Sequence, residues 1–200
     1  NSTGNGVTAL GAFAVHENSS GSNQTGLGYA ALYSNTTGSH NTAVGLNSMY
    51  ANTTGNNNVS MGVNSFRLNT TGEQNVAIGR DSLEANTTAS NNTAVGYQAL
   101  LANTTGTQNV AVGVQALDSN TTADRNTALG AFALKSNTTG EQNTAVGRSA
   151  LIASTTGSNN VAVGLNSLTT STSASNNTGV GTSALAANTT GANLVGVGKD

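Results

Sequence analysis

Asn92-Thr93-Ala94-Val95-Gly96-Tyr97-Gln98-Ala99-Leu100-Leu101-Ala102-Asn103-Thr104-Thr105-Gly106-Thr107-Gln108 is one unit of a pattern that fills the chain. Its pivot is Gly96. A glycine stands at every 17th position, at Gly11, Gly28, Gly45, Gly62, Gly79, Gly96, Gly113, Gly130, Gly147, Gly164, Gly181 and Gly198, without insertion or deletion. A strict short period with β-branched residues around it means one small supersecondary unit stacked many times. The chain reads as a rod.

The columns around that glycine carry the reading further. The residue before it is always large and apolar, from Leu10 and Leu27 through Val44, Met61, Ile78, Val95 and Val112 to Val197. Two before, it is always tiny: Ala, Gly26, Gly179, Gly196 or Ser60. Three before, it is Thr or Val. β-Branched residues favour strands. Strand alternation puts the Thr/Val and large apolar columns on one face and the tiny residue on the other. Four after the glycine comes a second large apolar residue, Val15, Leu32, Met49, Phe66, Leu83, Leu100 and onward to Leu185, always preceded by Ala or Ser. It predicts a second short strand or turn.

Next comes the corner, Asn-Thr-Thr-Gly, as in Asn35-Thr36-Thr37-Gly38. Asn and Gly tolerate left-handed backbone, and Asn can bond nearby backbone groups. Ala89, Ala123 and Ala174 stand in place of the corner glycine, so a positive φ is not compulsory there. The columns one, two and five after the pivot, and the first after the corner, vary freely. They hold nearly all the charge, including Arg67, Arg80, Asp81, Glu84, Asp118, Lys135 and Arg148, and are expected to face solvent.

Composition agrees with a rod and excludes several functions. The 200 residues would ordinarily suggest one or two globular domains. Only 7% are charged and 4% aromatic, with no Pro, Cys or Trp. Such polarity could signal disorder, but a disordered linker has no reason to keep phase. The net charge of −2 leaves no basic patch for phosphates, so nucleic acid is not an expected partner. No stretch of 18 apolar residues exists to insert in a membrane. Without cysteine there are neither disulfides nor thiolate metal sites. The start at Asn1 and the ends inside a repeat suggest a segment excised from a longer fibre protein.

The expected architecture is all-β, a parallel β-solenoid of about 11–12 coils over residues 1–200. At a strand spacing of ~4.8 Å the rod would be roughly 55 Å long. The corner asparagines would stack as a ladder. So small a coil encloses little core, so one uncharged strand face lines the interior and the other needs a partner. A second copy of the chain is the simplest. With the tiny residue inside, the interface candidates are Thr42, Val44, Val59, Met61, Val76, Ile78, Thr93, Val95, Val110 and Val112. The opposite assignment of the two faces is equally open at this point.

The motif Asn-Thr-Ala-Val-Gly, then Ala-Leu, then Gly, resembles the head repeat of trimeric autotransporter adhesins, which carries a Ser-Val-Ala-Ile-Gly strand. The 17-residue form with Asn-Thr-Thr-Gly is also similar to repeats of predicted phage tail fibres and of long bacterial surface proteins. The unit here is longer than the usual autotransporter one by its Asn-Thr-Thr corner. The resemblance implies a left-handed β-roll, three rolls per trimer with the Val/Ile strand inside, and an extracellular, cell-surface or virion location.

Candidate chemistry is sparse. His16 and His40 fall in different columns with no metal or triad spacing. No cofactor and no enzyme activity are expected. A β-helical lyase would need a charged groove that this sequence does not offer. Asn-x-Thr sequons recur at Asn35, Asn52, Asn69, Asn86, Asn103, Asn120, Asn137 and Asn188, either as glycosylation acceptors or simply as the corner turn. Tyr29, Tyr33, Tyr50, Tyr97, Phe13 and Phe132 could bind surface glycans; not repeating in one column, they read as scattered packing groups. The Thr/Val column (Thr8, Thr25, Thr42, Val59, Val76, Thr93) raises ice binding, although it is half Val in mid-chain. The function expected is a stiff structural segment of an extracellular fibre. The alternative is a carbohydrate- or ice-binding module using a flat Thr/Asn face.

Overall fold

A computed structural model describes residues 3–199. Twelve strands, β1 (Thr8–Leu10), β2 (Thr25–Leu27) and one every 17 residues to β12 (Val195–Val197), form one parallel sheet in chain order. Pairing is in perfect register, for example Val76↔Thr93, Ala77↔Ala94 and Ile78↔Val95. Every coil lies on the one before it, and the rod is an all-β solenoid with no helix among the described residues.

Each strand has only three residues, because the pivot glycine ends it. Gly96 has φ 136°, a region open in practice to glycine alone. A Cβ at Gly96 would lie 2.5 Å from the carbonyl oxygen of Gly113 in the next coil. The column is therefore fixed twice, by dihedral and by close stacking of backbone on backbone.

Of the two forms expected for the second apolar segment, strand or turn, it takes the turn. Ala99 and Leu100 are consecutive and both fully buried, which no extended strand allows. Positive φ at Gln98 (54°) and Leu100 (52°) turns both side chains inward. A left-handed leucine costs about 1–2 kcal/mol. Burying its side chain returns about 2–3 kcal/mol. The same conformation recurs at this column from Val15 to Leu185.

The interior has two halves. One is apolar: Ala94, Ala99 and Leu100, repeated as a single continuous cluster along the rod. The other is polar and amide-filled. Asn52 Nδ2 donates to Asn35 Oδ1 at 2.8 Å and to the Gly55 carbonyl at 3.1 Å, and Asn69 repeats this on Asn52. A second ladder lies just before the strand. Asn58 Nδ2 donates to the Gly72 carbonyl at 2.9 Å, while its Oδ1 accepts the backbone N–H of Asn75 at 2.9 Å. Burying a polar group is costly unless it is bonded, and these ladders meet that need along most of the rod.

Candidate interaction surface

The tiny residue of each strand points inward and the Thr/Val and large apolar residues point outward. Ala43, Ala77, Ala94 and Ala111 are fully buried. This settles the choice of face left open above. All ten interface candidates share the outward face: Thr42, Val44, Val59, Val76, Thr93, Val95 and Val110 are half-buried, and Met61, Ile78 and Val112 are exposed. The column after the pivot continues that face, adding exposed Tyr29, Leu46, Val63, Tyr97, Val114 and Leu165. Arg80, Arg148 and, at the last pivot, Lys199 are the charges that enter it.

The face is long and flat. Twelve strands give eleven steps of ~4.8 Å, and a width of roughly four residues at ~3.3 Å makes an area of roughly 700 Å². The largest apolar patch on a monomeric protein is typically about 300–600 Å². Threonine hydroxyls soften this stripe without breaking it, and no ionisable side chain occupies its two strand columns.

The corner sequons face the other way. Asn35, Asn52, Asn69, Asn86, Asn103, Asn120 and Asn137 are fully buried. Their Nδ2 atoms, where a glycan would attach, donate inside the coil, as Asn103 Nδ2 does to Asn86 Oδ1 at 3.1 Å. In the folded coil these seven side chains serve the corner turn, the second of the two readings given above. Asn188, in the last described coil, is part-buried and caps its own corner through Gly191 N–H at 2.9 Å.

Threonine forms a third outward feature. The first corner threonine spends its hydroxyl on the next coil, as Thr53 Oγ1 does on the Thr70 carbonyl at 3.0 Å. The second is exposed and unbroken from Thr37 through Thr54, Thr71, Thr88, Thr105, Thr122 and Thr139 to Thr156. This row is more regular than the Thr/Val column proposed for ice.

Charged groups sit mostly as expected, with one exception. Asp81, two after its pivot, is buried, with Oδ1 accepting from Asn64 Nδ2 at 3.3 Å and Oδ2 3.2 Å from Arg80 Nε. Arg67 and Glu84, one coil apart, pair at 2.9 Å. Burial pushes the Asp118 carboxyl above its ordinary value, opposed in part by the charge of Lys135 in the next coil. Among the described residues no three His, Cys, Asp or Glu stand together as a metal site.

The rings are less scattered than expected. His16, Tyr33 and Tyr50 share the column five after the pivot and stack, with centroids 4.9 and 5.0 Å apart and planes 9° and 11° from parallel. Their spacing of 17 was visible in the sequence. So was the second asparagine ladder, since that column is Asn from Asn41 to Asn177. No protein-family model, no curated protein and no solved structure matches this chain.

Proposed function

We propose that this chain is a structural segment of an extracellular fibre, such as a phage tail fibre, a surface adhesin or a secreted filament. Its work is mechanical: it extends, and it displays what its outer columns carry. Copies of the chain pack through the outward strand faces, three rolls around a common axis, and further copies or flanking segments cover the two ends.

The observation that carries this reading is the outward strand face, whose two strand columns hold no ionisable side chain along the whole rod, over a stacked core. Parallel stacking supplies stiffness, because the strand bonds run along the rod, as from Gly96 N–H to the Ile78 carbonyl at 2.7 Å. Light scattering on the purified segment tests it. A mass of three chains supports the trimer, and a very large mass with visible filaments supports lateral or end-to-end assembly. A clean monomer removes the argument.

The exposed threonine row from Thr37 to Thr156 favours a second reading. One hydroxyl and one methyl per coil, repeated at a fixed step, is a surface that can order water. On this reading the rod binds ice, and thermal hysteresis of the monomer is the measurement that decides it.

A further inference from the structure

The repeat leaves its outer columns free to vary, yet the rings are bunched. Of the seven Phe and Tyr in the chain, Phe13, Tyr29, Tyr33 and Tyr50 lie within the first three coils, together with His16. They line a groove of about 420 Å³. Tyr29 forms one wall and Tyr33 with Tyr50 the other; Ala30 and Asn47 lie between them. Phe13 closes one end, edge-on to Tyr29 at 5.7 Å, and Arg67 stands at the other.

The polar atoms of this groove are unspent. Among the described residues no hydrogen bond engages the hydroxyls of Tyr29, Tyr33 or Tyr50. The Asn47 side chain is bonded only through Nδ2, to Asn64 Oδ1 at 3.4 Å, which leaves its Oδ1 open. Arg67 uses Nε on Glu84 and keeps its terminal nitrogens. Stacking alone does not require hydroxyls, since phenylalanines would stack equally well.

We propose that this groove is an oligosaccharide-binding site, with a glycan lying along the rod between Tyr29 and the Tyr33–Tyr50 stack. A sugar C–H face fits the exposed Tyr29 ring, the Tyr33–Tyr50 stack meets the ligand with ring edges and hydroxyls, and sugar hydroxyls need both donors and acceptors. The tyrosine hydroxyls, Asn47 Oδ1 and the Arg67 guanidinium supply both. A nucleic acid would need more cations than one arginine. Tyr33, Tyr50 and Arg67 lie five after their pivots, outside the strand columns through which copies pack, and only Tyr29 borders that face. The site rests on the reading of the rod as a carrier of surface-attachment groups and gives that role a location.

Titration calorimetry with three neutral hexasaccharides tests this, built of β-linked glucose, β-linked N-acetylglucosamine and α-linked mannose. Light scattering is run on the same samples. Saturable binding of at least one sugar is expected, weakened tenfold or more by Tyr50→Ala. Tyr33→Phe, which keeps the stack and removes a hydroxyl, is expected to weaken binding severalfold, and Tyr97→Ala, outside the groove, to leave it unchanged. No binding by any of the three, or binding indifferent to Tyr50→Ala, overturns the site. So does a fall in native mass on Tyr50→Ala, because it would show that another copy fills the groove. A monomeric wild type that still binds sugar would remove the trimer and keep the site.

Discussion

Asn137 Nδ2 donates to Asn120 Oδ1 at 3.0 Å, but its own buried Oδ1 meets no donor, because the next coil holds Ser154. The Ser154 and Ser171 hydroxyls are buried without partners as well. The corner ladder thus runs unbroken from Asn18 to Asn137 and then lapses for two coils.

Restoring the amide is expected to stabilise the rod. Ser154→Asn places one donor between Asn137 Oδ1 and the Gly157 carbonyl, for a gain of about 1–2 kcal/mol. Asn86→Ala is the converse and should cost about 2–3 kcal/mol, because it removes three buried bonds at once, from Asn86 Nδ2 to Asn69 Oδ1 and to the Ala89 carbonyl and from Asn103 Nδ2 to Asn86 Oδ1. Midpoints of chemical unfolding measure both. A Ser154→Asn variant no more stable than the parent would show that the ladder contributes nothing net.

The two glycine columns should respond differently. An alanine in either would bring a Cβ close to the next coil's backbone, but only Gly113 has a φ, 135°, that is closed to side-chain-bearing residues, so Gly113→Ala is expected to cost about 3 kcal/mol or more. Gly106→Ala should cost about 1 kcal/mol or less, because Ala89 and Ala123 already occupy that column on either side. Equal losses in thermal melts of the two variants would contradict the assignment.

Asp118 gives a pH dependence with a definite sign. Its folded pKa is raised, chiefly by burial, so the folded state holds the proton more tightly than the unfolded one. Its contribution to stability therefore improves as pH falls through the raised pKa and levels off below the ordinary 3.8. Asp118→Asn is expected to be more stable than the parent at pH 7, with the gap closing in acid. A gap that widens in acid would reverse the cause.

Charge on the strand face tests assembly separately from folding. Val95 and Val112 lie on adjacent strands of the outward face, with in-register backbones. Replacing both by Lys is expected to reduce the native mass to one chain while the far-ultraviolet circular dichroism stays unchanged. Each buried valine lost from an interface removes about 1.5 kcal/mol, and the new charges repel their symmetry mates. An unchanged multimeric mass would place the contact on another face.

That Ala94 is on the inner face took the closed coil to decide, whereas the period and the strand could be read from residue types alone, because alternation and a fixed glycine leave few alternatives. Leu100 could not, since nothing in a leucine announces a left-handed backbone; the stacked coil imposes it. Asn103 misled for a related reason. A sequon looks like surface, and only the closed coil shows that its amide turns inward to the amides above and below. Asp81 was placed outside by its charge, whereas its column dips toward the core and Arg80 and Asn64 satisfy it there.

Gly96 rests on Gly113 just as Gly79 rests on Gly96, and each strand meets the next in the same register. Because any coil can stand on any other, removing or adding one whole unit leaves every remaining contact type intact. The molecule is then a ruler graduated in steps of ~4.8 Å. Recombination between near-identical gene repeats could reset its reach without inventing a new fold.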